Sequence, residues 1–385
     1  MSRIPFIHAR FPAPSETESA LVHRLRDHLR NLRVEALRQQ EAARPAEEAP
    51  EEAGEAEDDP DTDSDMDAFD LKIDLRARAE LTSRDSQRIN RRAARLHKAR
   101  MAATGLSHLK KEDRERLEVL KDGVRLAVIP SEHRADELAA ELHDEFRWLG
   151  AATEVVWHAM RRSVREGWPG LRLPPLLLDG NPGIGKSVWA RRLGGLIGTA
   201  SMVFEATSEN ASFGLVGSQR GWSNAAPGRL LQTILQERVG NPVVIVDEVE
   251  KAGTAESNKG RSFDLASSLL PLLEPATAGH WTCPFYEIGF DMGWICWVLT
   301  SNDWRKLPDP LISRCPPIRL PDPTLEQLID FARREGQKRG LSAPSVEAVA
   351  EALLQMSRHV HRLSLRSVIR MLDLAERLEA EPIRQ

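Results

Sequence analysis

The sequence predicts an α/β domain built on a parallel sheet, preceded by a helical N-terminal region and followed by a small all-helical domain. Two observations carry this reading. Short apolar runs alternate with helical patterns between residues 132 and 322, the signature of a parallel sheet with crossover helices. Beyond Pro323 only helical patterns follow.

At 385 residues the chain is long enough for two or three domains with a sizeable core. Residues 1–41 form the first region. Ser15 and Glu18 make a capping-box pattern, and Leu21, Leu25, Leu29 and Leu32 recur at helical spacing, so an amphipathic helix is expected over 15–41. Residues 42–70 are rich in Ala, Pro, Glu and Asp and poor in large apolar side chains, a composition that cannot offset the entropy of ordering; a disordered acidic linker is expected. Thirteen acids and no base lie between Glu47 and Asp70, which makes a chain of net charge −5 acidic, although the remainder holds 45 acids against 53 bases.

Residues 71–131 read as a basic helical region. Arg84, Arg88, Arg91, Arg92, Arg95, Lys98 and Arg100 are accompanied by one acid, Asp85. Such a face could bind nucleic acid through residues 84–100. The absence of interleaved aromatics favours a solvated helical face, or a partner for the acidic linker.

Residues 132–322 make the α/β domain. Leu138, Leu142, Phe146, Leu149, Val156, Trp157 and Met160 predict two helices between Glu132 and Arg165. The apolar run Leu176-Leu177-Leu178 is followed by Gly180-Asn181-Pro182-Gly183-Ile184-Gly185-Lys186-Ser187 and a helical pattern from Val188. This is Gly-x-x-x-x-Gly-Lys-Ser/Thr between a strand and a helix, where backbone N–H groups and a lysine cradle nucleotide phosphates. Val243-Val244-Ile245-Val246 predicts a buried strand that delivers Asp247 and Glu248 at its carboxyl end. Asp247 is expected to hold Mg2+ through water, Ser187 to coordinate it directly, and Glu248 to polarise the attacking water. A further strand, Trp294 to Asn302, places Asn302 to orient that water between the acids and the terminal phosphate.

With these residues in hand, residues 132–380 resemble an AAA+ ATPase module, and within that superfamily the ATPase part of Lon-type proteases. Walker A at 180–187, Walker B at 243–248, the sensor-one-like Asn302 and Leu311-Ile312-Ser313-Arg314 carry the superfamily resemblance. Trp222-Ser223-Asn224-Ala225-Ala226-Pro227-Gly228-Arg229, Asn241-Pro242 through Lys251, and Leu269 to Pro275 are similar to Lon's pore-loop segment, its Asn-Pro…Asp-Glu-Ile-Asp-Lys and its Ala-Leu-Leu-Glu-Val-Leu-Asp-Pro. The resemblance implies an arginine finger at Arg314, a sensor-two residue at Arg366 in a helical lid over 323–385, and Trp222 as a pore residue gripping polypeptide. It also implies ATP and Mg2+ as cofactors and a homo-oligomeric ring, expected to be a hexamer, acting on a protein substrate or partner. Lon continues into a peptidase domain whereas this sequence runs to Gln385, so no intrinsic protease activity is expected. The pore segment has Trp and Ser where Lon has Tyr and Ile, and residues 1–130 match nothing in Lon's substrate-binding domain.

Two alternatives stand beside this reading: a DNA-directed motor or loader, and an ATP-dependent switch that positions a partner. A serine or cysteine hydrolase is not supported, because no Gly-x-Ser-x-Gly elbow and no nearby Cys-His pair presents itself. Cys283, Cys296 and Cys315 lack metal-site spacing and are expected as reduced, packed thiols. With no h-region after Met1 and no apolar run of membrane-spanning length, a cytoplasmic protein without membrane contact is expected.

Overall fold

A computed structural model describes residues 3–13, 16–42, 79–207, 211–221, 224–252, 254–256, 262–358 and 362–380. The acidic segment expected over 42–70 falls, but for its first residue, outside them. The chain divides into two compact units, Ala9–Leu109 and a larger one comprising Met1–His8 with Lys110–Gln385.

The smaller unit is a helical hairpin of α1 (Glu18–Ala42) and α2 (Ser83–Ala103). The first helix starts three residues later than the spacing predicts. Thr17 Oγ1 accepts from an orphan first-turn amide, that of Ala20, at 3.3 Å, while Ser15 lies outside the described residues. Thr82 and Asp85 cap α2 reciprocally, each side chain accepting from the other's backbone amide. The hairpin is antiparallel: Glu16 O meets His97 Nδ1 at 3.1 Å at one end, and Arg33 Nη2 donates to Asp85 Oδ2 at 2.6 Å at the other. Leu21, Ile89 and Ala93 are buried.

The larger unit is built on five parallel strands, β1 (Leu176–Asp179), β2 (Ser201–Glu205), β3 (Val243–Asp247), β4 (Cys296–Ser301) and β5 (Pro317–Arg319), in the order β5-β1-β4-β3-β2. The central strand β4 is buried at all six positions, which explains the apolar run Cys296–Leu299, and Thr300 and Ser301 are buried with it. It is shorter than the run suggests, because Trp294 lies in the preceding turn, Ile295 comes before the strand begins and Asn302 lies just past its end. Alternation assigns Leu176, Leu178, Val243, Ile245, Cys296 and Val298 to one face. They share a core with α3 (Glu132–Glu145), α4 (Gly150–Arg165) and α5 (Lys186–Ile197). Asn241, fully buried ahead of β3, ties the layers together: its Oδ1 accepts from Ala127 N at 2.8 Å and its Nδ2 donates to Ala127 O and Leu171 O, both at 3.0 Å.

The sequence pattern gave no sign of a strand at Arg3–Ile4, which pairs antiparallel with Val124–Arg125. The buried Phe6 then meets Phe290 with ring centroids 5.8 Å apart. Gly123 has φ +75°, and a Cβ there would lie 2.2 Å from Ile4 O, so the strand can approach only a glycine.

After a six-residue helix α6 (Asp309–Arg314) and strand β5 come α7 (Leu325–Lys338), α8 (Ala343–Ser357) and α9 (Leu365–Ala380), and no strand lies beyond Pro323 among the described residues. Thr324 and Gln327 form a capping box and Ser342 caps α8. Leu328, Ala332, Val346, Leu353, Val368 and Leu372 join the apolar core. All three cysteines are buried free thiols, and burial pushes Cys296 and Cys315 up to about 12.

Candidate nucleotide-binding site

The candidate site forms where β1, β3 and β4 present their carboxyl ends. Past β1 the chain turns tightly: Gly180 N donates to Ser301 O at 3.2 Å, and a Cβ at Gly180 would stand 2.8 Å from Ile184 Cδ1. Gly183 and Gly185 take φ +84° and +94°, so that the loop's amides turn toward the start of α5. Trp148 Nε1 donates to Ile184 O at 2.7 Å and pins the loop from behind.

Lys186 is 7 % exposed, and its ammonium donates to Gly180 O at 2.5 Å, Asn181 O at 3.1 Å and Asn302 Oδ1 at 3.0 Å. Burial lowers its pKa, and Asp247, Glu250, Asp179 and Glu248 oppose that shift by attraction. Ser187 Oγ donates to Asp247 Oδ1 at 2.8 Å. The same carboxylate oxygen accepts from Thr300 Oγ1, which in turn receives the Glu248 amide at 3.0 Å. Glu248 has φ +54°, a strained conformation for a non-glycine residue, and it turns the side chain to Asn302 Nδ2 at 3.2 Å and Lys251 Nζ at 2.8 Å. Glu250 Oε1 accepts from both the backbone amide and Nδ2 of Asn302, at 3.1 and 3.0 Å.

A cavity of about 540 Å³ opens over these groups. Pro182, Gly183, Gly185, Lys186, Ser187, Asp247, Glu248, Asn302 and Arg366 all line it, so the loop, the two acids, the strand-end asparagine and the arginine of α9 converge. One side is apolar, with Phe146, Phe331, Leu365 and Ile369, and suits a flat ring; Arg191, Lys338 and Arg366 add positive charge suited to phosphate. Arg314 does not line it. It sits at the end of α6, with Nη1 donating to Pro310 O at 3.1 Å and Nε 3.3 Å from Glu274 Oε2 without hydrogen-bond alignment. Trp222 lies outside the described residues.

Sequence reasoning missed Thr300, Glu250 and the link between the loop and the C-terminal helices. Asn181 Nδ2 donates to Asp322 Oδ2 at 2.8 Å, Arg362 Nη2 reaches Asp322 Oδ1 and Pro182 O at 3.1 Å each, and Leu365 N donates to Gly183 O at 3.1 Å. Thr300, a hydroxyl closing an apolar run just ahead of Asn302, was the one available signal.

Residues 176–321 match the family model for the ATPase family associated with various cellular activities (AAA). The chain is 31% identical over 194 residues to the peroxisomal Lon protease homolog 2 of Pichia angusta, covering 49% of this chain and 20% of that protein. It is 29% identical over 192 residues to the Lon protease of Chlamydia trachomatis serovar D, covering 49% and 23%. Against the peroxisomal Lon protease homolog 2 of Arabidopsis thaliana it is 28% identical over 225 residues, covering 57% and 25%. The chain thus spans about a fifth to a quarter of the length of these relatives. No helix among the described residues is long and apolar enough to cross a membrane. The loop, the sheet order and these matches agree: the chain carries an AAA ATPase-family module that resembles the ATPase region of Lon-type proteases.

Proposed function

We propose that the chain hydrolyses ATP with Mg2+ as one subunit of a homo-oligomeric, six-membered ring, and that hydrolysis moves or remodels a protein substrate or partner. The observation that supports this reading best is the meeting of Lys186, Ser187, Asp247, Glu248 and Asn302 at three adjacent strand ends, within one cavity.

In this reading the amides of residues 180–187 and the Lys186 ammonium hold the phosphates, a phosphate oxygen replacing one of the three oxygens that now share Lys186. The Ser187 hydroxyl and Asp247 carboxylate are hard oxygen donors sharing a hydrogen bond, a donor set that fits Mg2+, which keeps much of its shell as water and phosphate oxygen. When bound, Mg2+ neutralises charge on the phosphates. Glu248 takes the proton of the attacking water, and Asn302 orients that water. Arg366 stabilises charge on the transferring phosphoryl group from within the subunit. Arg314, outside its own subunit's cavity, does so in the neighbouring one. Trp222 is proposed to grip the substrate polypeptide in the ring's pore. The reading assigns this chain the ATP-driven step alone, in the cytoplasm.

The test is steady-state ATP hydrolysis against protein concentration, for wild type and Arg314→Ala, with and without an unfolded protein. A rate per subunit that rises with concentration, increases with unfolded protein and collapses in the variant is expected. A flat rate indifferent to Arg314 would overturn the ring.

A further inference from the structure

We propose that the exposed face of α2 binds the phosphate backbone of duplex DNA. The sequence alone favours a solvated face; the side-chain arrangement reverses that balance. Arg84, Arg88, Arg91, Arg95 and Lys98 are spaced four, three, four and three apart, which places all five on one stripe about 21 Å long. At 100° per residue this stripe lies opposite Ile89 and Ala93, the residues α2 buries, and Arg92 flanks it on one shoulder. All six basic side chains belong to exposed residues.

A solvated face normally alternates signs, because like charges three or four residues apart destabilise a helix. Here four successive like pairs stand in a row. None of the six cations pairs with a described residue. The acid within reach, Asp85, is engaged by Thr82 and Arg33, while Arg100, off the stripe, points toward Glu16 at 3.9 Å. The charges are left for a polyanion.

Their distribution chooses the occupant. With Arg92 included, the cations span about a third of the helix circumference. A helix whose cations fan over that arc fits the B-form major groove, about 12 Å wide, where the two edges of the arc, Lys98 and Arg92, face opposite phosphate walls. The deep, narrow major groove of duplex RNA does not admit a helix.

The experiment is fluorescence anisotropy of a labelled DNA duplex of arbitrary sequence with the full chain, across a salt series and without nucleotide. Binding is expected to weaken with salt at a log–log slope of about −4 to −5, as five phosphate contacts require. Arg88→Ala/Arg91→Ala/Arg95→Ala should cut that slope by about 3, whereas the corresponding lysine triple variant retains it. Alanine is the best helix former, so unchanged far-UV circular dichroism is expected alongside. Lys186→Ala should bind DNA as wild type does, which separates this proposal from the ATPase reading. No binding at 50 mM salt, an unchanged slope in the alanine variant, or equal affinity for duplex RNA would each overturn it. Capture of a synthetic peptide of residues 47–70 in place of DNA would overturn it in favour of the chain's own acidic segment.

Discussion

Lys186 and Asn302 stand 116 positions apart in the chain, yet Nζ of one lies 3.0 Å from Oδ1 of the other. Asn302 also donates to Glu248, so one amide connects the phosphate-binding lysine to the proposed base. Lys186→Ala should abolish nucleotide binding. Glu248→Gln should keep ATP bound while turnover falls by about 10²–10⁴, the usual worth of a positioned base. Binding of a fluorescent ATP analogue, beside phosphate release, separates the two effects, and retained hydrolysis in Glu248→Gln would remove the assignment.

Glu250 holds Asn302 through two bonds from one oxygen, while its other oxygen is buried without a partner among the described residues. Glu250→Ala frees Asn302 to turn away from the attacking water. The expected result is a kcat lowered about tenfold or more with nucleotide affinity nearly unchanged, since misplacement of a positioning group is felt in the transition state. An equal loss in KM would instead mark Glu250 as structural.

Arg314 is partly exposed, held through its own helix and Glu274, and does not line its own cavity. Arg314→Ala should lower the rate by about 10³–10⁵ if it serves as a finger in trans. Mixing it with Lys186→Ala should restore part of the activity, because each variant supplies what the other lacks. Mixed assemblies as inactive as either parent would count against catalysis across the interface.

Gly185 sits at φ +94°, and a Cβ there would stand 2.8 Å from Leu365 Cδ1. Gly185→Ala combines a left-handed alanine, costing about 1–2 kcal/mol, with a push against α9. Loss of ATP affinity larger than the fall in Tm is expected, measurable by calorimetry, because the strain falls on the loop that binds phosphate.

Asp85 carries a pH signature. Its carboxyl is held at about 2, below the ordinary 3.8, by the Thr82 hydroxyl, then the Thr82 amide, then Arg33. The folded state therefore binds this proton more weakly than the unfolded chain does. The contribution is complete above about 4 and lost as pH falls from there toward 2. Amide exchange across α1 and α2 should accelerate in that window, and the difference between wild type and Asp85→Asn should vanish at its lower end.

What was legible in the sequence was local. A glycine loop between an apolar run and a helical pattern, or four β-branched and apolar residues ending in two acids, announces itself within ten residues, because backbone periodicity and phosphate chemistry are written contiguously. The meeting of Asn181 with Asp322, 141 positions away, has no such local trace. Nor has Glu250, one acid among three in Asp247-Glu248-Val249-Glu250, until Asn302 is seen beside it. The two-residue strand Arg3–Ile4 is too short to show alternation at all.

That short strand bears on how the chain is made. Residues 3–8 leave the ribosome well ahead of their partners, because Phe6 O accepts from Asp291 N and His8 N donates to Gly289 O. At about 5–20 residues per second these partners arrive roughly 15–60 s later. Until Phe290 emerges Phe6 lacks the ring it packs against, so closing the sheet end around it is a late event in synthesis.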